Sequence, residues 1–318
     1  MSLPLWPHAV PPFHAGEQAV QQRAGSRERM AEIGRRVVRA ELIDQHREFF
    51  ALLPFIVVGA ADRDGRPWAT LLAGEAAGFV TSPDETRLDV RALPPPDDPV
   101  APCLQAGAPL GLLGIELATR RRNRANGRIV SMDERGFSLQ VMQSFGNCPK
   151  YIQRRESLER GPARPGKALR LRRLDERAAS VVRGADTFFV ATHAASGPAN
   201  GGSDVSHRGG RPGFVRLEDD ARTLTWPDFA GNRFFNTLGN IALDGRAGLV
   251  FADFVNGDLL HVTGRAEVIW DGPALEGFAG AERLVRLRID EAVLRPQAWP
   301  LRWRLVETSP FLDATGTW

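Results

Sequence analysis

The chain repeats itself. An apolar run from Phe55, FIVVGAADRDGRPWAT, enters a Gly-Arg-Pro turn, and a second from Phe188, FFVATHAASGPANGGSDVSHRGGRPGFVRL, does the same. Further on, GLLGIELATRRRNRANGRIV and GLVFADFVNGDLLHVTGRAEVIW keep register with each other, Gly111 with Gly248 and Arg128 with Arg265. Such self-similarity predicts two related β units packed together, with function sought where they meet.

With 318 residues and 43% hydrophobic composition the chain can bury a sizeable core, most comfortably as two domains. No apolar run approaches membrane-spanning length, and the start lacks a basic-then-apolar signal segment, so a cytoplasmic location is expected. A formal charge of +3 permits anionic ligands without pointing to nucleic acid. Six histidines are scattered without HxH or HExxH spacing, and two cysteines, Cys103 and Cys148, form no ligand pair, so no metal site is expected.

Glu17 to Leu53 reads as helical, with Ser26 as a cap, Met30, Ile33 and Val37 on one face, and Arg35, Arg36 and Arg39 at its margin reaching solvent. A hairpin follows from Phe55 to Thr70, turning at Asp62 to Gly65. Strands are expected at Phe79–Thr81, Leu110–Leu117, Gly127–Asp133 and Phe137–Gln143, with a Pro-rich stretch over Leu93–Gly111 that excludes an interior helix. Glu156–Lys167 reads as a basic linker or short helix, and Leu171–Arg183 as a helix. The second unit opens at Phe188–Thr192, passes a long Gly-rich insertion, and resumes at Phe214–Leu217. Leu259–Trp270 is the clearest strand by alternation, and Leu284–Ile289 and Leu301–Val306 complete the set. Short strands with Gly-rich turns point to a mainly β chain built of antiparallel barrels. This predicts a helical extension over 1–44, a first unit over 45–168 and a second over 169–318 that carries the main phosphate-binding segment.

The densest polar cluster is Asp204-Val-Ser206-His207-Arg208-Gly209-Gly210-Arg211. Its arginines suit a phosphate or carbonyl, its glycines expose backbone N–H groups, and His207 can donate to a ligand ring; a solvated hairpin tip is the bland alternative. Gly231-Asn232-Arg233 is expected to open a short helix, where a phosphate would meet free amides and the Arg233 guanidinium, with Asn236 and Thr237 one turn later. The alternative is that Asn232 merely caps the helix and Arg233 is solvated. The matching place in the first copy is taken by the Pro-rich stretch after Leu88, so one phosphate site per chain is expected. Gln143, Ser144, Asn147, Cys148 and Lys150 follow the first unit's last strand and are candidates to line a ligand, with structure alone as the alternative. A Cys148–His207 nucleophile is conceivable chemically. The run Arg120-Arg121-Arg122-Asn123-Arg124 reads as a solvated basic hairpin tip, without the aromatics or recognition helix of a nucleic-acid binder.

Four segments in order, LPFIVVGAADRDGRPWATLLAG, QSFGNCPKYIQRR, DVSHRGGRPGF and GNRFFNTLGNI, resemble the pyridoxamine 5′-phosphate oxidase-like flavoproteins of the FMN-binding split-barrel class. They are most similar to its long tandem branch, over roughly residues 45 to 310. The resemblance implies two tandem split β-barrels forming a pseudo-dimer within one chain, with FMN between them. It puts the flavin phosphate at Asn232, Arg233 and Thr237, places His207, Arg208 and Arg211 near the ring or ribityl chain, and brings Gln143 to Tyr151 across from the other barrel. It further implies an FMN-dependent oxidoreductase moving hydride or electrons between NADH, NADPH or a reductase partner and a small substrate. A non-enzymatic flavin or haem module is the alternative. Neither nucleic acid nor membrane is expected as a partner, and either a monomeric pseudo-dimer or a homodimer would suit. The family's Arg-x-His substrate segment is replaced by Leu301-Arg-Trp-Arg-Leu, so pyridoxamine phosphate itself is not the expected substrate.

Overall fold

The structure is a computed structural model and describes residues 6–161, 165–195, 197 and 199–318. Three helices lead in: α1 (Ala15–Arg23), α2 (Arg27–Val37) and α3 (Asp44–Leu52). The first sheet comprises β1 (Phe55–Ala61), β2 (Pro67–Ala73), β3 (Val80–Thr81), β4 (Arg87–Val90), β5 (Pro109–Glu116), β6 (Arg121–Asp133) and β7 (Gly136–Gly146). Two short strands, β8 (Arg154–Ser157) and β9 (Leu169–Leu171), and helix α4 (Glu176–Gly184) connect it to the second unit. There β10 (Thr187–Ala194), β11 (Gly202–Gly209), β12 (Arg216–Leu217) and β13 (Thr223–Phe229) precede helix α5 (Asn236–Asp244). The strands β14 (Arg246–Ala252) and β15 (Leu259–Ile269), the short helix α6 (Pro273–Glu276), β16 (Ala281–Arg295) and β17 (Trp303–Glu307) complete the chain.

The strand orders match. The first sheet runs β2-β1-β5-β6-β7-β4-β3 and the second β11-β10-β14-β15-β16-β13-β12, so each strand has a counterpart at the same place. Gly111 pairs with Asn126 in the first sheet and Gly248 with Thr263 in the second. A bulge follows each partner, between Asn126 and Gly127 and between Thr263 and Gly264. The fold is therefore mainly antiparallel β and built twice, as two split barrels in tandem.

The duplicated Gly-Arg-Pro turns, by contrast, are not equivalent. The first closes the β1–β2 hairpin, whereas the second lies beyond the far end of β11. The true structural repeat is carried by the glycines of β5, β6, β14 and β15.

Continuous apolar runs in β1 and β10 are explained by burial on both faces. Ile56 and Val58 enter the first unit's core, and Phe188 and Val190 the second's. Their neighbours Phe55, Val57, Phe189 and Ala191 join Leu113, Val205 and Val250 in a third core shared by the units. Glycine is required where the sheets touch. A Cβ on Gly248 would sit 2.2 Å from the Pro67 carbonyl oxygen, and one on Gly111 would sit 2.8 Å from Asp204 Cα. Each unit thus presses its fifth strand against the second strand of the other.

Several expectations change. The single helical stretch is three helices, broken at Gly25 (φ 64°) and again before Asp44. Ser26 precedes α2 without a side-chain cap bond, its hydroxyl donating instead to Gln21 O. The expected Gly-rich insertion carries strand β11 at its centre, paired throughout with β10; Ser196 and Pro198 of it lie outside the described residues. The expected basic linker begins as strand β8, and its residues 162–164 also lie outside the described residues. The helix over Leu171–Arg183 starts late, at Glu176, with Asp175 capping it through Ala178 N. Among the described residues no helix is long and apolar enough to cross a membrane.

Candidate functional site

A cleft opens between the units where β6 of the first faces β11 and the start of α5 of the second. Its free space is about 810 Å³, including the open mouth.

Arg124 forms the floor. Its side chain is 4% exposed, and its Nη1 lies 2.9 Å from Asp204 Oδ1. Nη1 also donates to Asn236 Oδ1 at 2.8 Å, and Nη2 donates to Ser206 Oγ at 2.5 Å. Thr237 Oγ1 closes the network onto Ser206 at 3.0 Å, and Asn126 donates to Asp204 Oδ1 at 3.1 Å. Two positions along the same strand face, Arg122 donates through Nε to Cys148 O at 2.9 Å. Burial, with the charges of Arg124 and Arg208, pushes the Arg122 guanidinium down to about 9, which still leaves it a cation at neutral pH.

The β11 wall supplies His207 and Arg208. Burial first, then the charges of Arg122, Arg155 and Arg208, holds the His207 imidazole well below its ordinary range, so it is neutral at pH 7. Arg208 donates to Asp228 Oδ1 at 2.5 Å, and Asp228 is shared with Arg283.

Helix α5 contributes its N-terminus. The preceding Phe235 is left-handed (φ 61°) and offers no side-chain cap bond. Arg233 two residues earlier is left-handed as well, at φ 62°. Non-glycine residues in this region are strained, and such strain clusters at functional sites. Uncapped first-turn amides carry the positive end of the helix dipole and suit an anion.

The segment after β7 makes the opposite wall. Tyr151 packs on Phe229 with ring centroids 5.1 Å apart and donates to Ala230 O at 3.2 Å. Lys150 Nζ stands 5.0 Å from the Phe311 ring centroid. Four buried nitrogens on these walls have no partner within the protein: Arg124 Nε, Asn147 Nδ2, His207 Nε2 and Arg208 Nε. Leaving a buried polar atom unpaired costs about 1–3 kcal/mol, so these four nitrogens are donor or acceptor groups that a ligand or water in the cleft would satisfy.

Of the residues singled out in the sequence, His207, Arg208, Gly209, Asn232, Arg233, Asn236, Thr237, Asn147, Cys148 and Lys150 all line this cleft. Three do not. Gln143 donates to Pro12 O and Ser144 to Glu41 O, so both fasten the N-terminal extension. Arg211 turns away to Leu312 O and Asp313. The helix also begins at Asn236 instead of Gly231: Asn232 accepts from Phe234 N in a tight turn, which moves Asn236 and Thr237 to the helix start. Arg233 stays at the mouth, its side chain 45% exposed and 3.8 Å from Glu282.

Arg122 and Arg124 were expected in a solvated hairpin tip and are strand residues instead, Arg124 buried and Arg122 half-buried. Strand β6 begins at Arg121, six residues before the expected Gly127. The signal was present as two arginines at spacing two, which a strand points to one face.

The first unit has the corresponding corner, and the chain itself fills it. By register, Thr70 takes the place of Ser206 and His261 that of Arg124. There the Asp98 carboxylate accepts from Thr70 Oγ1 at 2.6 Å, from Arg295 Nη1 at 2.8 Å and from Val100 N at 2.9 Å. A one-turn 3₁₀ segment, Ala101–Cys103, stands where the second unit has α5.

Residues 174–298 match the family model described as Pyridoxamine 5'-phosphate oxidase. The second unit is therefore a pyridoxamine 5′-phosphate oxidase-like split barrel, and the first repeats its strand order. Among solved structures, HupZ of Group A Streptococcus is 16% identical over 40% of this chain and 97% of its own, with a TM-score of 0.32. A putative pyridoxamine 5'-phosphate oxidase of Lactobacillus delbrueckii is 21% identical over 40% of this chain and 98% of its own, with a TM-score of 0.31. A protein of Clostridium acetobutylicum related to general stress protein 26 is 12% identical over 41% and 92%, with a TM-score of 0.30. No curated protein is similar enough in sequence to match the chain.

Proposed function

We propose that the inter-unit cleft binds FMN and that the chain is an FMN-dependent oxidoreductase. The observation that carries this is the set of unpartnered buried nitrogens, on Arg124, Asn147, His207 and Arg208, facing one cleft beside the uncapped start of α5. An electron-rich anionic ligand fits that donor set. In this reading Arg124, Ser206, Thr237 and the first amides of α5 hold the phosphate, and Arg122, His207, Arg208 and Asn147 surround the ring system.

FMN, when bound, supplies hydride or single-electron chemistry that no side chain here can perform. The chain's own work is binding and electrostatics. Arg122 and Arg208 favour negative charge in the cleft through a preorganised, largely dry environment. Neutral His207 has one nitrogen free to donate or accept, according to its tautomer. Tyr151 and Phe229 shield one side from water. The electron source in this reading is NADH, NADPH or a reductase partner, and one chain suffices because both barrels are present.

The test is titration of purified protein with FMN, riboflavin and haemin, followed by anaerobic addition of NADH or NADPH. FMN is expected to bind once per chain and much more tightly than riboflavin, and to be bleached by a reduced nicotinamide. Failure to take up FMN overturns the proposal. Tight FMN binding with no reduction by either nicotinamide or by a reductase favours a storage or sensing module, and preference for haemin favours a haem module.

A further inference from the structure

Behind the cleft, the N-terminal extension delivers a carboxyl group into the arginine network. Helix α1 crosses α5 with backbones touching at Gly16 and Gly239, where either Cβ would collide with the other helix. This contact buries Glu17 to 3% exposure. One Glu17 oxygen accepts from the side-chain amide of Asn236, the first residue of α5, and the other accepts from His14 N at 2.8 Å. Asn236 in turn accepts from Arg124 through Oδ1. Glu17 therefore fixes the orientation of the residue that links the helix start to the buried arginine.

The charges around it set a condition. Arg124 on β6 is already paired with Asp204 on β11, so a second negative charge on Glu17 would leave the Arg124–Asp204–Glu17 group net negative and oppose the attraction of Arg122 and Arg208 for an anion. Burial is the main cause that pushes the Glu17 carboxyl up to about 8, opposed by bonds from His14 and Asn236, with Asp204 raising it and Arg124 lowering it further. His14, on the same turn, donates through Nε2 to Asn240 while its Nδ1 accepts from Gly16 N. Burial holds it below its ordinary value, and it contributes no positive charge at neutral pH.

We propose that Glu17 is a positioning residue that must carry a proton for the cleft to accept a phosphate, so that anion binding is coupled to proton uptake. The proposal rests on the reading of the cleft as a phosphate site. Below about pH 8 Glu17 is neutral, holds Asn236 and adds no repulsion. As pH rises through that value the free protein ionises, and binding must then take up a proton, which weakens apparent affinity. The limiting slope is about tenfold per pH unit, by linkage of one proton. Measurements from pH 7 to pH 9 therefore form the window that brackets this change. A phosphate monoester completes its second ionisation near pH 6, below that window.

The experiment measures FMN and inorganic phosphate binding between pH 7 and pH 9, for wild type and Glu17→Gln, with riboflavin as the ligand lacking phosphate. Wild type is expected to lose affinity for both phosphates above about pH 8, while Glu17→Gln holds its affinity and riboflavin binding stays flat in both. Calorimetry of the wild type near pH 8, in two buffers of different protonation enthalpy, is expected to show net proton uptake on binding FMN and none on binding riboflavin. This second measurement stands even if the variant does not fold. FMN binding with identical pH profiles in wild type and variant, or without proton uptake, overturns the role of Glu17 and leaves the FMN reading intact. No binding of FMN or phosphate at any pH overturns both.

Discussion

Replacing Arg124 and Arg233 in turn tests which of them anchors the phosphate of the proposed ligand. Motif resemblance points to Arg233, whereas burial points to Arg124. The Arg124 side chain is 4% exposed and touches Ser206 and Asn236, while that of Arg233 is 45% exposed and 3.8 Å from Glu282. Removing one partner of a buried charge-assisted pair costs about 2–5 kcal/mol, which is at least about 30-fold in affinity. An exposed pair contributes about 0.2–1 kcal/mol, a factor of about five at most. Truncating Arg124 alone would strand the Asp204 carboxylate, with an expected stability loss of about 3–5 kcal/mol. The informative variant is therefore Arg124→Gln with Asp204→Asn, which removes both charges together. Fluorescence titration with FMN and with riboflavin then reads the phosphate contribution. The double variant is expected to weaken FMN at least 30-fold and riboflavin hardly at all, while Arg233→Ala changes FMN affinity by about fivefold or less. A larger loss from Arg233→Ala than from the double variant would refute the argument from burial.

Two further outcomes test the frame. Gly248→Ala is expected to destabilise by about 1–3 kcal/mol, as overpacking in a rigid interior does, because its new methyl would lie 2.2 Å from Pro67 O. Gly184→Ala, with nothing within 4 Å of the added carbon, serves as the control, and urea unfolding compares the two. Asp98→Asn breaks the buried pair with Arg295 and is expected to cost about 3–5 kcal/mol in the same assay, while FMN still binds once per chain with unchanged affinity.

The fold was legible wherever periodicity had one cause. Phe55–Ala61 and Leu259–Ile269 were found within a residue or two because their apolar residues must face a core. The Gly-rich stretch before His207 misled, since local composition favours a loop while pairing with all of β10 makes it a strand. That pairing is a long-range contact and leaves no local trace. The same reason hid Arg122 and Arg124: a basic run reads as solvent-facing unless the partner that buries it, here β11 and α5 of the other unit, is known. Gln143 and Ser144 erred in the opposite direction. They sit in a motif that resembles a ligand wall, yet their side chains meet Pro12 and Glu41 of an extension whose docking the sequence did not reveal.

The asymmetry of the two corners follows from joining the barrels in one chain. Two identical subunits related by a twofold axis must build the same corner twice, whereas a tandem chain lets each change alone. In the first unit, Asp98 supplies a negative charge that Arg295, Thr70 and a backbone amide satisfy, so that corner is complete without a ligand. In the second, Asp204 neutralises Arg124 only from one side and leaves Arg124 Nε, His207 Nε2 and the α5 amides free. The carboxylate that approaches from the other side is Glu17, and burial pushes it towards its neutral form. A carboxylate with three partners from the chain itself therefore closes one corner, while a carboxyl that changes charge near pH 8 leaves the other open to an anion that arrives with a proton.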